Sequence, residues 1–181
     1  MKKILSLLLG SMCATAVYAQ TDSIGVYSVR GTDIKRVEIS KPAGTKISSA
    51  IVSAKAKVQF EGEASDEKFN GCATFRIYYA VPSAYDAAKY FMFTPSYSVK
   101  DLSVAQFSVK KQSRYLTTSS VSIIGGSLGT QKAKDATIEV KQVRQNVYDL
   151  TVSGPAGEYC IIPVFNGMAS PYGGVFAFTI L

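Results

Sequence analysis

The strongest constraint in this sequence is a repeat of two. Ala54, Ala56, Val58 and Phe60 alternate with Lys55, Lys57, Gln59 and Glu61, the pattern of a strand with one buried face and one wet face. Phe75, Ile77, Tyr79 and Val81 repeat it against Thr74, Arg76 and Tyr78. Further runs rich in Val, Ile, Thr, Tyr and Phe cover 25–30, 34–39, 89–94, 102–109, 120–124, 137–143, 147–152, 158–164 and 175–180, with Gly, Pro, Ser and Asn between them. Past residue 19 no window carries the apolar stripe of an amphipathic helix. Short strands separated by turn signals predict an all-β fold, a two-layer antiparallel β-sandwich that is immunoglobulin-like in the broad sense, with a barrel as the alternative. Residues 83–89 read as a polar loop, or alternatively as one helical turn. Gly125-Gly126-Ser127-Leu128-Gly129 reads as a long hairpin connection inside the domain.

The N-terminus obeys a different rule. Lys2 and Lys3 precede an apolar stretch from Ile4 to about Val17, and Val17-Tyr18-Ala19 presents small residues at the positions −3 and −1 before Gln20. These are the three parts of a secretory signal peptide. The expected organisation is a leader over 1–19, cleaved between Ala19 and Gln20, followed by one β-sandwich domain over 20–181. The apolar stretch is shorter than the ~20 residues that a spanning helix needs, so no transmembrane segment is expected in the mature chain. Met12 before Cys13 makes a poor lipidation site, because processing there requires a small residue. A freely exported periplasmic or secreted protein is therefore expected, with no anchor at Cys13.

Of the three cysteines, Cys72 and Cys160 remain after cleavage. In an oxidising compartment an even pair reads as one disulfide. Such a bridge would close a loop of about 90 residues and contribute roughly 4–5 kcal/mol on the chain-entropy account. Two buried free thiols are the alternative.

Histidine is absent from the whole chain. That removes Ser-His-Asp and Cys-His catalysis, His-ligated zinc and most general-base chemistry near neutral pH. There is no CxxC pair and no glycine-rich phosphate loop, so neither a cofactor nor a metal is expected. Paired carboxylates are the catalytic route left open, and the acidic cluster is Glu61, Glu63, Asp66 and Glu67. Glu61 and Glu63 are expected to share the wet face of one strand end. Ca²⁺ is an alternative reading of that cluster, although the spacing of a calcium loop is missing. Ser98-Val-Lys100 and Ser108-Val-Lys110 fall in strands or loops and suggest no Ser-Lys dyad.

The formal net charge is +7, of which Lys2 and Lys3 account for two. The remaining basic groups, Lys55/Lys57, Lys110/Lys111/Arg114 and Lys132/Lys134, are scattered along solvated faces, and no nucleic-acid partner is expected. Weak attraction to anionic envelope polymers stays open. Tyr78, Tyr79, Tyr90, Tyr97, Tyr115 and Tyr172 have polar neighbours and are candidates for exposure. Exposed tyrosines stack on sugars or anchor partners, whereas their ordinary role is cross-strand packing. Tryptophan is absent, which counts against a glycan-binding module.

The last third carries a resemblance. Gly157-Glu158-Tyr159-Cys160-Ile161-Ile162-Pro163, after a run at 147–152 and a turn at Gly154-Pro155, is similar to the Gly-Glu-Tyr strand of uncharacterised secreted bacterial β-sandwich proteins. Lys110-Lys111, Arg114-Tyr115-Leu116 and Gly125-Gly126 resemble a basic stretch upstream in the same proteins. The resemblance implies export, a sandwich, and a last strand at 176–180 pairing beside the Gly-Glu-Tyr strand; it implies no activity. Cys72 and Cys160 also resemble the inter-sheet pair of immunoglobulin domains. There the corner tyrosine stands two residues before the cysteine, but Tyr159 stands directly before Cys160, and the packing tryptophan is missing. The function expected from all this is a non-enzymatic exported β-sandwich of the bacterial envelope, acting by binding or assembly on a protein or glycan partner. A carbohydrate-binding module using exposed tyrosines is the alternative.

Overall fold

A computed structural model describes residues 25–50, 53–78, 102–122, 125–128, 130, 132–165 and 168–181. The leader, the Ala19–Gln20 junction, Cys13, the 83–89 segment and the 89–94 run lie outside the described residues, as do Tyr79, Tyr90 and Tyr97. In chain order the strands are β1 (Gly25–Arg30), β2 (Asp33–Arg36), β3 (Gly44–Ala50), β4 (Ser53–Glu61), β5 (Lys68–Phe69), β6 (Cys72–Tyr78) and β7 (Leu102–Gln106). Then come β8 (Ser108–Lys110), β9 (Ser113–Ser122), β10 (Gly125–Leu128), β11 (Thr137–Arg144), β12 (Val147–Ser153), β13 (Gly157–Phe165), β14 (Met168–Ala169) and β15 (Phe176–Ile180). Among the described residues a 3-10 turn at Pro171–Gly173 interrupts them. Among the described residues no helix is long and apolar enough to cross a membrane.

The chain is all-β, and its sheets pack face to face as a β-sandwich. One sheet runs β11-β12-β6-β1-β2, a second β10-β9-β4-β3 with β8 beside β9, and a third β14-β13-β15-β5 with β7 beside β13. Among the described residues every pairing is antiparallel except the short parallel contact of β15 with β5. The period-two reading holds on β6, where Ala73, Phe75 and Ile77 are buried while Thr74, Arg76 and Tyr78 are half-buried on the other side. The last strand pairs beside the Gly-Glu-Tyr strand, with Tyr159 opposite Phe178 and Gly157 opposite Ile180.

The third sheet is covered on both faces. Tyr159 and Ile161 of β13, with Phe176, Phe178 and Ile180 of β15, pack against Val26, Phe75, Ile77, Leu150 and Val152 of the first sheet. Cys160, Ile162, Val175 and Ala177 point the other way, onto Val58, Phe60 and Leu116 of the second sheet. A strand buried on both faces reads as a continuous apolar run rather than an alternation, and Tyr159–Ile162 is such a run. The 102–109 run divides at Phe107, where the chain leaves the third sheet as β7 and joins the second as β8. Strands that switch sheets in this way make the corners of sandwiches. Phe75, Phe178 and Phe69 meet edge-on at 4.8–6.2 Å, and Tyr159 stacks on Phe178 at 5.7 Å. Buried aromatic side chains of this kind contribute roughly 1.5–3 kcal/mol each.

Several expectations are corrected. The Cys72–Cys160 bridge is not formed, and both thiols are free. Cys72 opens β6 on its exposed face, while Cys160 lies fully buried between the second and third sheets, with its Sγ 3.8 Å from the Ala105 carbonyl oxygen. Gly125–Leu128 is not a connection but a strand, β10, paired with Ser119–Ser122 of β9; an edge strand needs only backbone partners, so glycine serves there. Strand β3 (Gly-Thr-Lys-Ile-Ser-Ser-Ala) has no counterpart among the sequence runs. It is an exposed edge strand, so nothing imposes alternation on it.

Tyr159 also clarifies the immunoglobulin comparison. Its hydroxyl donates to the Pro155 carbonyl oxygen at 2.7 Å, the backward bond to nearby backbone that a corner tyrosine makes. Gly154 leaves room for it, since a Cβ there would stand 3.0 Å from that hydroxyl.

Candidate functional site

The outer face of the second sheet is built from alternate residues of β3, β4, β9 and β8. Val58, Phe60 and Leu116 turn inward, so Lys57, Gln59 and Tyr115 turn outward. Lys46 of β3 lies directly opposite Lys57 of β4. Tyr115 of β9 lies between Gln59 and Ser108. Lys110 ends β8, and the two-residue turn Lys111-Gln112 returns the chain into β9. Together Lys46, Ser48, Lys57, Lys110, Lys111 and Tyr115 line a hollow of about 320 Å³ with no carboxylate in its wall.

The Lys46 ammonium donates to the Tyr115 hydroxyl at 3.1 Å and lies 5.1 Å from the ring centre. That hydrogen bond, aided by a second from Ser113 and the charges of Lys46 and Lys110, pulls the phenol below its ordinary pKa against the opposing effect of burial. Sequence reasoning singled out Lys57, Lys110, Lys111 and Tyr115 separately and judged the lysines scattered. Lys46 was missed, because it sits in the strand without alternation. Only the pairing of β4 with both β3 and β9 brings the group together.

A second polar cluster lies between the second and third sheets. Glu158 and Arg114, with side chains only 6% and 7% exposed, approach at 3.5 Å. Glu158 accepts from the Ser65 amide at 2.9 Å and from the Thr179 hydroxyl. Arg114 donates to the Glu61 and Gly62 carbonyl oxygens and lies over the Phe107 ring, while its Nη1 has no hydrogen-bond partner among the described residues. Arg114 stands between two cavities, one of about 280 Å³ beside Lys35, Glu38, Asp66 and Glu67, the other of about 380 Å³ beside Lys41 and Glu61.

The expected acidic cluster is dispersed. β4 ends at Glu61 and Gly62 turns the chain with φ +74°, so Glu63 leaves the strand and does not share its face. Glu67 is buried and paired with Arg30 at 2.9 Å and Lys35 at 2.8 Å, and Asp66 is exposed. No group of three metal-ligating side chains occurs among the described residues. Of the other candidate tyrosines, Tyr78 packs edge-on against Tyr27 and Tyr172 is exposed on the 3-10 turn. Lys132 and Lys134 are exposed and do not line the hollow, whereas exposed Lys55 lies directly opposite Ser48 at its edge, and Ser108-Val-Lys110 is strand β8. Comparison of the chain with known protein families, curated proteins and solved structures finds no match.

Proposed function

We infer that this chain is an exported, non-enzymatic β-sandwich protein of the bacterial envelope that acts by binding. The leader-like sequence over 1–19 supports export. The observation that carries the binding reading is the hollow on the second sheet, where hydrogen-bond donors and an aromatic ring converge with no carboxylate in the wall. Recognition needs such convergent donors, whereas glycoside hydrolysis needs two carboxyls facing across a cleft. Glu67, Glu158 and Asp149 are each engaged with cationic side chains. Tyr115 also favours a sugar as the ligand, because its ring is the one aromatic surface in that hollow.

Incubation of the purified protein with envelope polysaccharides, followed by sizing of the polymer, tests the reading. Chain lengths are expected to stay unchanged. Shortening that disappears in a Glu61→Gln/Glu63→Gln variant would overturn it.

A further inference from the structure

Folding alone does not favour what the second sheet presents. Lys46 and Lys57 face each other directly across β3 and β4, and like charges in that position repel. Lys110 and Lys111 add two more cations to the same wall. Neither Lys57, Lys110 nor Lys111 has an ion pair among the described residues. The turn that brings Lys111 to the rim is itself strained, with Lys111 at φ 50° and Gln112 at φ 59°. A two-residue hairpin of this kind ordinarily uses Asn-Gly, and left-handed residues without that chemistry gather at functional sites.

We propose that this hollow binds an acidic saccharide, a sugar bearing carboxylate, sulfate or phosphate groups. The proposal rests on the binding reading above and names its ligand. Oxyanions seated between Lys46/Lys57 and Lys110/Lys111 relieve the repulsion of four cations. The hydroxyls of Ser48 and Tyr115 and the ring of Tyr115 meet the hydroxyls and the body of the sugar. A lipid surface fits less well, because membrane docking needs apolar groups beside the cations. The adjacent exposed apolar residues, Ile47 and Val109, alternate onto the opposite face of the sheet. A nucleic acid would need a continuous basic stripe, and the lysines form one compact group.

Isothermal titration of the purified protein tests this with five probes: a sulfated and a uronate oligosaccharide, a neutral maltooligosaccharide of equal length, inorganic phosphate, and vesicles containing phosphatidylglycerol. At least one acidic oligosaccharide is expected to bind, more weakly as salt rises, while the neutral one does not. The Lys46→Gln/Lys57→Gln variant is expected to lose about 25-fold in affinity, at about fivefold per lysine, with a melting temperature equal to or above that of the parent. Lys141→Gln, on β11 of the first sheet, is the control and leaves affinity unchanged. Absence of binding by both acidic oligosaccharides, equal binding of the neutral one, tighter binding to phosphate or vesicles, or equal loss in the control would overturn the site. Recovery of a shortened oligosaccharide would instead overturn the non-enzymatic reading and leave the site standing.

Discussion

Glu158→Gln is the substitution whose outcome the structure constrains most closely. The change keeps size and removes one charge. In the folded protein Glu158 answers three groups: the Ser65 amide, the Thr179 hydroxyl and the Arg114 guanidinium. A glutamine retains one acceptor oxygen and presents an amide to the remaining partners. Arg114 then keeps its bonds to the Glu61 and Gly62 carbonyls but loses its counter-charge in a site where only 7% of its side chain is exposed. Leaving one member of a buried pair alone costs about 3–5 kcal/mol, and the retained backbone bonds place this case at about 3 kcal/mol. For a domain of this size that lowers the melting temperature by about 6–12 °C. Urea unfolding followed by far-ultraviolet circular dichroism measures it, since the chain has no tryptophan to report by fluorescence. The Arg114→Met/Glu158→Met double variant is expected to cost less than the sum of its single variants, because apolar groups of similar volume replace a buried pair at little loss. A loss below about 1 kcal/mol for Glu158→Gln, or strict additivity in the cycle, would refute the reasoning.

Two further outcomes follow from the thiols and the β8–β9 turn. Burial raises the Cys160 thiol pKa far above its ordinary value, so an alkylating reagent is expected to label Cys72 in the native protein and Cys160 only after unfolding; a non-reduced mass about 2 Da below the reduced mass would instead mean a disulfide. Gln112→Gly is expected to stabilise the fold by about 0.5–1 kcal/mol by relieving its left-handed φ while leaving saccharide affinity within about twofold, and a lowered melting temperature would contradict the strain assigned to that turn.

What was legible in the sequence follows from what alternation records. Strands with one buried face, such as β4 and β6, show their period because water and core select opposite residue types. Strand β3 buries too little to be marked, so its Lys46, one of the four lysines of the group, went unseen. The run at Glu158–Ile162 announced a strand but concealed that both of its faces are covered, since a doubly buried strand has no polar side to alternate. The cysteines were paired on compartment alone, and their separation, one on an outer face and one between two sheets, depends on register that no spacing reveals. The lysines looked scattered for the same reason: their meeting is a matter of which strands neighbour which.

The two-sided burial of β13 and β15 bears on the order of folding. Both strands follow the other long strands in the sequence, yet each of the two apolar cores takes one wall from them. A nascent chain therefore carries two half-cores that, apart from the β7 segment, lack their shared wall until residues 157–180 arrive. Premature collapse is discouraged, and a single late event completes both interfaces at once. Such dependence on distant contacts slows folding. It also predicts one cooperative transition instead of two, because neither core outlasts the strands that they share.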